Sequence, residues 1–410
     1  MNKNLLILGL VWPEPKSSAA GSRMLQLIQL FKAMHYNITF ASACAKTDNA
    51  FNLEQIEVVT KPIVLNNSSF DIFIKELNPE VVLFDRFMIE EQYGWRVAEQ
   101  CPKALRLLDT EDLHCLRRGR YQALKDSAKF DSSYLYNDTA KREIASIYRC
   151  DLSLIISQVE MEILRKQFQV ATCLVYYLPF LVDAITVASR NTLPNFKNRD
   201  HFTTIGNFLH KPNVDGLLHL KQNIWPLIRT KLPKAEIHIY GAYVTEQAKQ
   251  LHDKSQGFLV KGYAENVNTL MQTYKICIVA LRYGAGLKGK ILDAMRNGLP
   301  CVSTSIGAEG MYGDLKPKAC IEDQPIDFAN KAIKMYKNEV LWNKAQALGI
   351  ECLTNYFDKQ LHTENFISTI ENLQKALVNH RQNNFIGSML RHHSLQSTKF
   401  MSKWIEEKNK

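Results

Sequence analysis

Between Ile276 and Gly310 the chain reads ICIVALRYGAGLKGKILDAMRNGLPCVSTSIGAEG, and this stretch restricts the fold more than any other. Ile276–Leu281 is short, apolar and rich in β-branched residues, the signature of a buried strand. A loop follows that carries Gly284, Gly286 and Gly289 together with Lys288 and Lys290. Ile291, Leu292 and Met295 then mark one helix face, stopped by Asn297-Gly298 and Pro300. Pro300–Thr304 is a second buried strand, and Gly307 and Gly310 open the next loop. Strand, glycine loop, helix, strand is the repeating unit of a parallel sheet covered by helices.

The same alternation runs through most of the chain. Strands are expected at Leu5–Val11, Ile38–Ala43, Glu57–Val59, Val81–Asp85, Leu105–Asp109, Leu154–Ser157 and Cys173–Tyr177. A second series follows at His201–Gly206, Ala235–Tyr240, Phe258–Lys261 and Ile276–Leu281, with a helix expected over 213–231. The fold class is therefore α/β, with parallel sheets between helices. Its 410 residues suit two such domains. We place the first at 1–183, a linker at 184–200 where periodicity fades, and the second at 201–354. Helical patterns close the chain, with a crossing helix at 355–378 and a basic amphipathic tail at 379–410. Phe385, Ile386, Met389 and Leu390, then Phe400, Met401, Trp404 and Ile405, repeat along that tail with basic residues between them. Such a helix either lies on anionic lipid or docks back on the first domain.

Composition narrows the partners. A formal charge of +10 favours nucleotide phosphates or anionic lipid head groups. No RNA-binding signature or zinc-finger spacing is present, so nucleic acid is not expected. Nine scattered cysteines without a C-x-x-C pair fit free thiols in a reducing cytoplasm. No metal is expected, since the dense pair His392-His393 stands alone. The opening MNKNLLILGLVW runs into Trp12-Pro13-Glu14-Pro15 and reads as a first buried strand rather than a signal peptide.

The glycine loop is suited to an anion. Its backbone can approach a ligand closely, and free N–H groups at the helix start point toward it. Lys290 adds a charge in the first turn, Lys288 another just before it, and Asp293 shares a helix face with Lys290. An ammonium for a diphosphate and a carboxylate for a ribose diol together describe a nucleoside diphosphate. Two other readings stay open. Gly284–Gly289 also spells G-x-G-x-x-G, with Glu309 twenty residues on, which is a dinucleotide fingerprint. Alternatively, the glycines only make a tight strand-to-helix turn.

In the first half, Ala20-Gly21-Ser22-Arg23 opens the first helix as a phosphate loop or a plain cap. Asp85-Arg86 reads as a solvated turn. LLDTEDLHCLRRGR crowds Asp109, Glu111, Asp112 and His114 at a strand end and then supplies Arg117, Arg118 and Arg120. Asp112 and His114 are candidates to orient an acceptor hydroxyl or take its proton. The bland alternative is an acidic cap and a charged helix face. Gly206 and Asn207 end the first strand of the second half, with Lys211 near enough to reach a phosphate.

Two long segments, TIGNFLHKPNVDGLLHLKQNIWPLIRTKLPKAEIHIYG and GAGLKGKILDAMRNGLPCVSTSIGAEGM, are similar to the donor domain of retaining group 1 glycosyltransferases of the GT-B fold. LLDTEDLHCLRR and DLSLIISQVEMEILR resemble the first domain of that family more loosely. The resemblance covers about residues 1–355. It implies two Rossmann-like domains facing a central cleft and transfer from a nucleotide-diphosphate sugar with retention at the anomeric carbon. A UDP-sugar is favoured over a GDP-sugar, and no cofactor is required. It implies that Lys290 contacts the diphosphate and that Asp293 stands where the family carries a ribose-binding glutamate. The family's second glutamate falls on Ala285, leaving Glu309 as a candidate for the missing acid, and Asn207 stands where many relatives have arginine. The acceptor would be a glycan or lipid-linked sugar in surface polysaccharide synthesis. The expected location is cytoplasmic, peripheral on the inner face of the membrane. The competing functions are a nucleotide-binding scaffold subunit with a decayed site and an NAD-type dehydrogenase.

Overall fold

The computed structural model describes residues 3–315 and 317–409. Met1 and Asn2 of the opening segment and Lys410 of the tail, with Lys316, lie outside the described residues. Seven strands form the first sheet: β1 Lys3–Leu8, β2 Tyr36–Ser42, β3 Val59–Pro62, β4 Val81–Asp85, β5 Leu105–Asp109, β6 Leu152–Ile155 and β7 Val175–Tyr177. Their order across the sheet is β3-β2-β1-β4-β5-β6-β7. Five strands form the second: β8 Asp200–Ile205, β9 Ile237–Tyr240, β10 Phe258–Gly262, β11 Tyr274–Val279 and β12 Cys301–Ser303, ordered β10-β9-β8-β11-β12. All the paired strands run parallel. Leu5–Leu8 and Val81–Asp85 are buried along their length, as strands covered on both faces must be.

Strand order reverses once in each sheet, between β1 and β4 and between β8 and β11. Connections leave in opposite directions at such points, so a crevice opens beyond the carboxyl ends of the strands. The two crevices face each other, which puts the ends of β4, β5, β8 and β11 around one cleft.

The boundaries differ from the expected ones where turn chemistry intervenes. Glu57 adopts a left-handed φ of 56° that closes a 3-10 turn at Leu53–Ile56, so β3 begins at Val59. Cys173 belongs to a 3-10 turn, and β7 begins at Val175. The helix expected over 213–231 begins at Lys211, with Pro212 in its first turn, and passes through a π-turn at Leu220–Ile224 before Pro226. The 184–200 stretch carries a short helix, Val187–Asn191, and its end is fixed: buried Arg199 donates to the carbonyls of Met271 (2.8 Å), Tyr274 (3.2 Å) and Asn297 (2.7 Å). Seven of the nine free cysteines are buried, whereas Cys44 and Cys173 are exposed.

After the second sheet the chain crosses back. Val182 and Phe357–Lys359 exchange backbone hydrogen bonds of 2.8 Å. The helix Lys359–Lys375 then buries Phe366 and Ile370 in the core of the first half, where Phe366 meets Phe31 edge-on with ring centroids 5.5 Å apart. The last helix, Phe385–Lys408, also packs on the first half, but with its polar side inward. Arg96 donates to buried Ser402 at 3.2 Å, Arg391 to the Arg149 carbonyl at 3.2 Å, and Asn384, its N-cap, to the Tyr148 carbonyl at 2.8 Å. Phe385, Ile386, Met389, Phe400, Met401 and Trp404 face solvent. This is the reverse of an ordinary surface helix.

Candidate functional site

Both halves line a cleft of about 820 Å³, within the size range of ligand pockets. On the second-half wall the helix Gly289–Arg296 starts at the cleft, with Lys288 at its N-cap. Lys290 is half-buried there and its ammonium donates to Asn213 Oδ1 at 2.9 Å. Burial pushes it down to about 8, with neighbouring Lys288 adding to the effect. Its partner is a neutral amide, so its charge is not neutralised by a carboxylate at that contact. A Cβ on Gly206 would stand 2.9 Å from Lys290 Nζ and 2.7 Å from Asn213 Nδ2, so glycine at the end of β8 leaves room for both side-chain ends. Asp293 is half-buried one turn further along and lines the same wall; burial pushes its carboxyl up to about 6, partly offset by Arg296.

The other expected donor residues divide. Gly206, Asn207, Gly284 and Gly286 line the cleft. Lys288 lines it too, but its ammonium turns back onto the carbonyls of Ala285 (3.0 Å) and Gly286 (2.7 Å), so it closes the glycine loop on itself. Lys211 is exposed in the first turn of its helix and is not among the residues that line the cleft. Glu309 is drawn off the cleft wall by Arg120, which donates to both its oxygens (2.8 and 2.6 Å) and to the Gly284 carbonyl (2.8 Å). That pairing crosses between the halves. It also removes the acid that a dinucleotide fingerprint needs from the ligand side of the loop. Ala285, where the resembled family has an acid, packs its methyl into the first half's core.

On the first-half wall the charges are largely paired. Arg23, expected on a phosphate loop, is buried: it forks onto Asp109 (2.9 and 3.1 Å) and donates to the Leu178 carbonyl (2.8 Å). Gly21 lies within the first turn of the helix Ala19–Ala33, where its N–H donates to the capping Ser18 hydroxyl at 3.1 Å. A Cβ there would meet the Glu14 backbone at 2.4 Å, so this glycine serves a close chain approach. Asp85-Arg86 is no solvated turn. Asp85 is buried and accepts from Leu10 N–H at 3.0 Å, and Arg86 borders the cleft in a left-handed conformation with φ 70°.

Asp112 and His114 are brought together, His114 Nε2 lying 3.2 Å from Asp112 Oδ1, with Arg117 on the second carboxylate oxygen. Burial would raise the Asp112 carboxyl, but Arg117, His114 and His210 outweigh it and hold it down to about 2. Burial pushes the His114 imidazole down to about 4 despite Asp112. A fixed carboxylate and a neutral imidazole can orient a hydroxyl; neither is poised to take a proton near pH 7.

Sequence reading missed several participants. His210 borders the cleft from an exposed position just before the helix that begins at Lys211. Glu160, buried on the helix Gln158–Lys166, accepts from Leu113 N–H at 2.9 Å and from Gly286 N–H at 2.7 Å, so one carboxyl ties the acid-rich loop to the glycine loop. Glu143 caps the helix His114–Lys125 by accepting from His114 and Cys115 N–H groups (2.9 and 3.0 Å). At the other lip Tyr243 donates to Glu14 at 2.8 Å. Glu160 and Glu143 sit in helical stripes where a polar residue usually means solvent, His210 stands in the bend before a helix start, and Tyr243 needs the two halves placed face to face.

The comparisons with known proteins bear on this geometry. Residues 199–338 match the family model of the group 1 glycosyl transferases. That stretch holds the whole second-half wall of the cleft, Ile205 to Asp293. Among curated proteins the chain is similar to the "Uncharacterized 44.6 kDa protein in cps region" of Klebsiella pneumoniae, 27% identical over 213 residues. The match spans 50% of this chain and 51% of that protein, about half the length of the relative. Among solved structures it is similar to Anabaena HepE in complex with UDP and glucose, with a TM-score of 0.66, 13% identity, and coverage of 91% of this chain and all of that one. Sucrose-phosphate synthase from Thermosynechococcus elongatus gives a TM-score of 0.65 at 13% identity, covering 92% of this chain and 100% of the other. The fold is GT-B.

Proposed function

We propose that this chain is a retaining glycosyltransferase that moves a sugar from a nucleoside diphosphate, UDP in preference to GDP, onto a glycan or lipid-linked acceptor. The observation that carries the reading is Lys290, a half-buried ammonium group without a carboxylate partner at a helix start, lining the cleft beside Gly206. The family model over the same residues supports it, and so does the HepE structure, which holds UDP and glucose. Lys290 and the helix N-terminus would stabilise the charge that grows on the leaving diphosphate, the largest single contribution a site of this kind can make. The departing diphosphate would help deprotonate the acceptor on the same face, Asp293 would take the ribose diol, and Asp112 and His114 would orient the acceptor. No metal or cofactor is needed. Residues 1–183 and 201–354 act as acceptor and donor domains.

The relative in a capsule region supports a place in surface polysaccharide synthesis. No helix among the described residues is long and apolar enough to cross a membrane. The outward Phe, Met and Trp side chains of the last helix, with Lys403 and Lys408 also exposed on it, support peripheral contact with an anionic inner leaflet from the cytoplasmic side. The decayed-subunit reading draws on Ala285 and Asp293. Incubation with a panel of UDP- and GDP-sugars separates the two. Release of free nucleoside diphosphate, lost in Lys290→Ala, supports the transferase; binding of UDP without any release supports the subunit.

A further inference from the structure

Glu111 is the one member of the acid-rich loop for which the site described so far has no use. It follows β5 in a left-handed conformation, φ 61°, which a side chain rarely adopts. Its residue borders the cleft, yet its Oε1 is buried without a hydrogen-bond partner. Its carbonyl lies 3.4 Å from where a Cβ on Gly286 would stand, so this loop touches the glycine loop of the opposite wall. The charged groups facing it are Asp85 at the end of β4, Arg86 just after it, Asp109 on β5 and Arg23 from the first helix. That makes three carboxyls against two guanidinium groups in a buried setting, and one carboxyl has to keep its proton. Asp109 is gripped by Arg23, and Asp85 has Leu10 N–H and Arg86. Glu111 has neither. A buried carboxyl oxygen with no partner costs free energy, and Glu111 stands half-buried at the cleft edge where a ligand can reach the group.

Resting on the transferase reading, we propose that Glu111 is an acceptor-binding residue, a neutral carboxyl that donates one hydrogen bond to an oxygen of the acceptor sugar and accepts another from its hydroxyl. Burial, then Asp109, pushes it up to about 8, in keeping with a proton retained at neutral pH. An amide offers the same donor and acceptor pair, so Glu111→Gln should stand in for it and Glu111→Ala should not.

The test measures transfer by the full chain from whichever UDP-sugar it turns over, with p-nitrophenyl glycosides as probe acceptors. Glu111→Ala is expected to raise the acceptor KM about ten-fold while leaving the UDP-sugar KM within about two-fold. Glu111→Gln is expected to recover most of that loss and to abolish the wild-type weakening of acceptor binding above about pH 8. Equal acceptor KM for wild type and Glu111→Ala, or a Gln variant no better than Ala, overturns the assignment. Should no nucleotide sugar be turned over, the transferase reading fails, and infrared spectra still test the proton. A protonated-carboxyl band in the wild-type-minus-Gln difference at neutral pH, lost well above about pH 8, supports a neutral Glu111; its absence at neutral pH overturns the proposal.

Discussion

The first-half wall of the cleft carries more charged side chains than the second and uses them differently. On the first-half wall Arg23 is committed to Asp109, Arg86 to Asp85 and Arg117 to Asp112. Those pairs hold the ends of β4 and β5 and the loop after β5 in place and leave little net charge for a ligand. On the second-half wall Lys290 has Asn213 as partner, and Asp293 has only Arg296 to offset its burial. A charge paid for by desolvation but not matched by a counter-charge is one that awaits a ligand. Counting charges along the sequence therefore overstates the first wall and understates the second.

If that contrast holds, the largest effect should come from the unmatched cation. Lys290→Ala is expected to lower kcat/KM by about a hundred-fold or more, with a melting temperature no lower than wild type, because no ion pair is lost. Initial rates and a thermal scan on the same preparation check both halves of that statement. Next comes the tie between the walls. Glu160→Ala leaves the N–H groups of Leu113 and Gly286 unsatisfied, and should cost about 1–3 kcal/mol of stability by denaturant titration. Glu160→Gln retains an acceptor oxygen and should cost less.

A smaller effect should appear in pH dependence. Burial first of all raises the Glu160 and Glu143 carboxyls to about 8 and about 7, so the folded chain holds protons there that the unfolded chain has lost. Stability should therefore fall as pH rises from about 5 to 8. His114, held down to about 4 by burial, acts oppositely: the unfolded chain takes up its proton below about pH 6.5, and stability falls toward acid. A melting temperature that peaks near about pH 6, with a shallower alkaline side in Glu160→Gln, is the expected result. The smallest effect belongs to Lys211→Ala. That exposed side chain should leave turnover within about two-fold of wild type; a larger loss would mean the second wall extends beyond the cleft described.

Sequence pattern carried the sheets further than the site. Val81–Asp85 and Leu105–Asp109 match the expected limits because buried parallel strands read as unbroken apolar runs. The glycine loop and Lys290 were legible because helix starts and tight turns leave local signatures. Arg23, Glu309 and Lys288 were not placed, since each is satisfied by a group fixed only by tertiary structure: Asp109, Arg120 and the loop's own carbonyls. Glu160 hides in an amphipathic stripe, and periodicity cannot tell a solvated carboxylate from one buried against two backbone N–H groups. The inward polar face of Phe385–Lys408 is a related case, in which helical spacing was evident and the side that docks was not.

Calorimetric titration of UDP into the wild-type chain, Lys290→Ala and Lys211→Ala bears most directly on the second wall as the donor site. The wild type and Lys211→Ala should bind alike, and Lys290→Ala should bind at least about ten-fold more weakly. Equal binding by all three, or no binding by the wild type, would contradict the assignment.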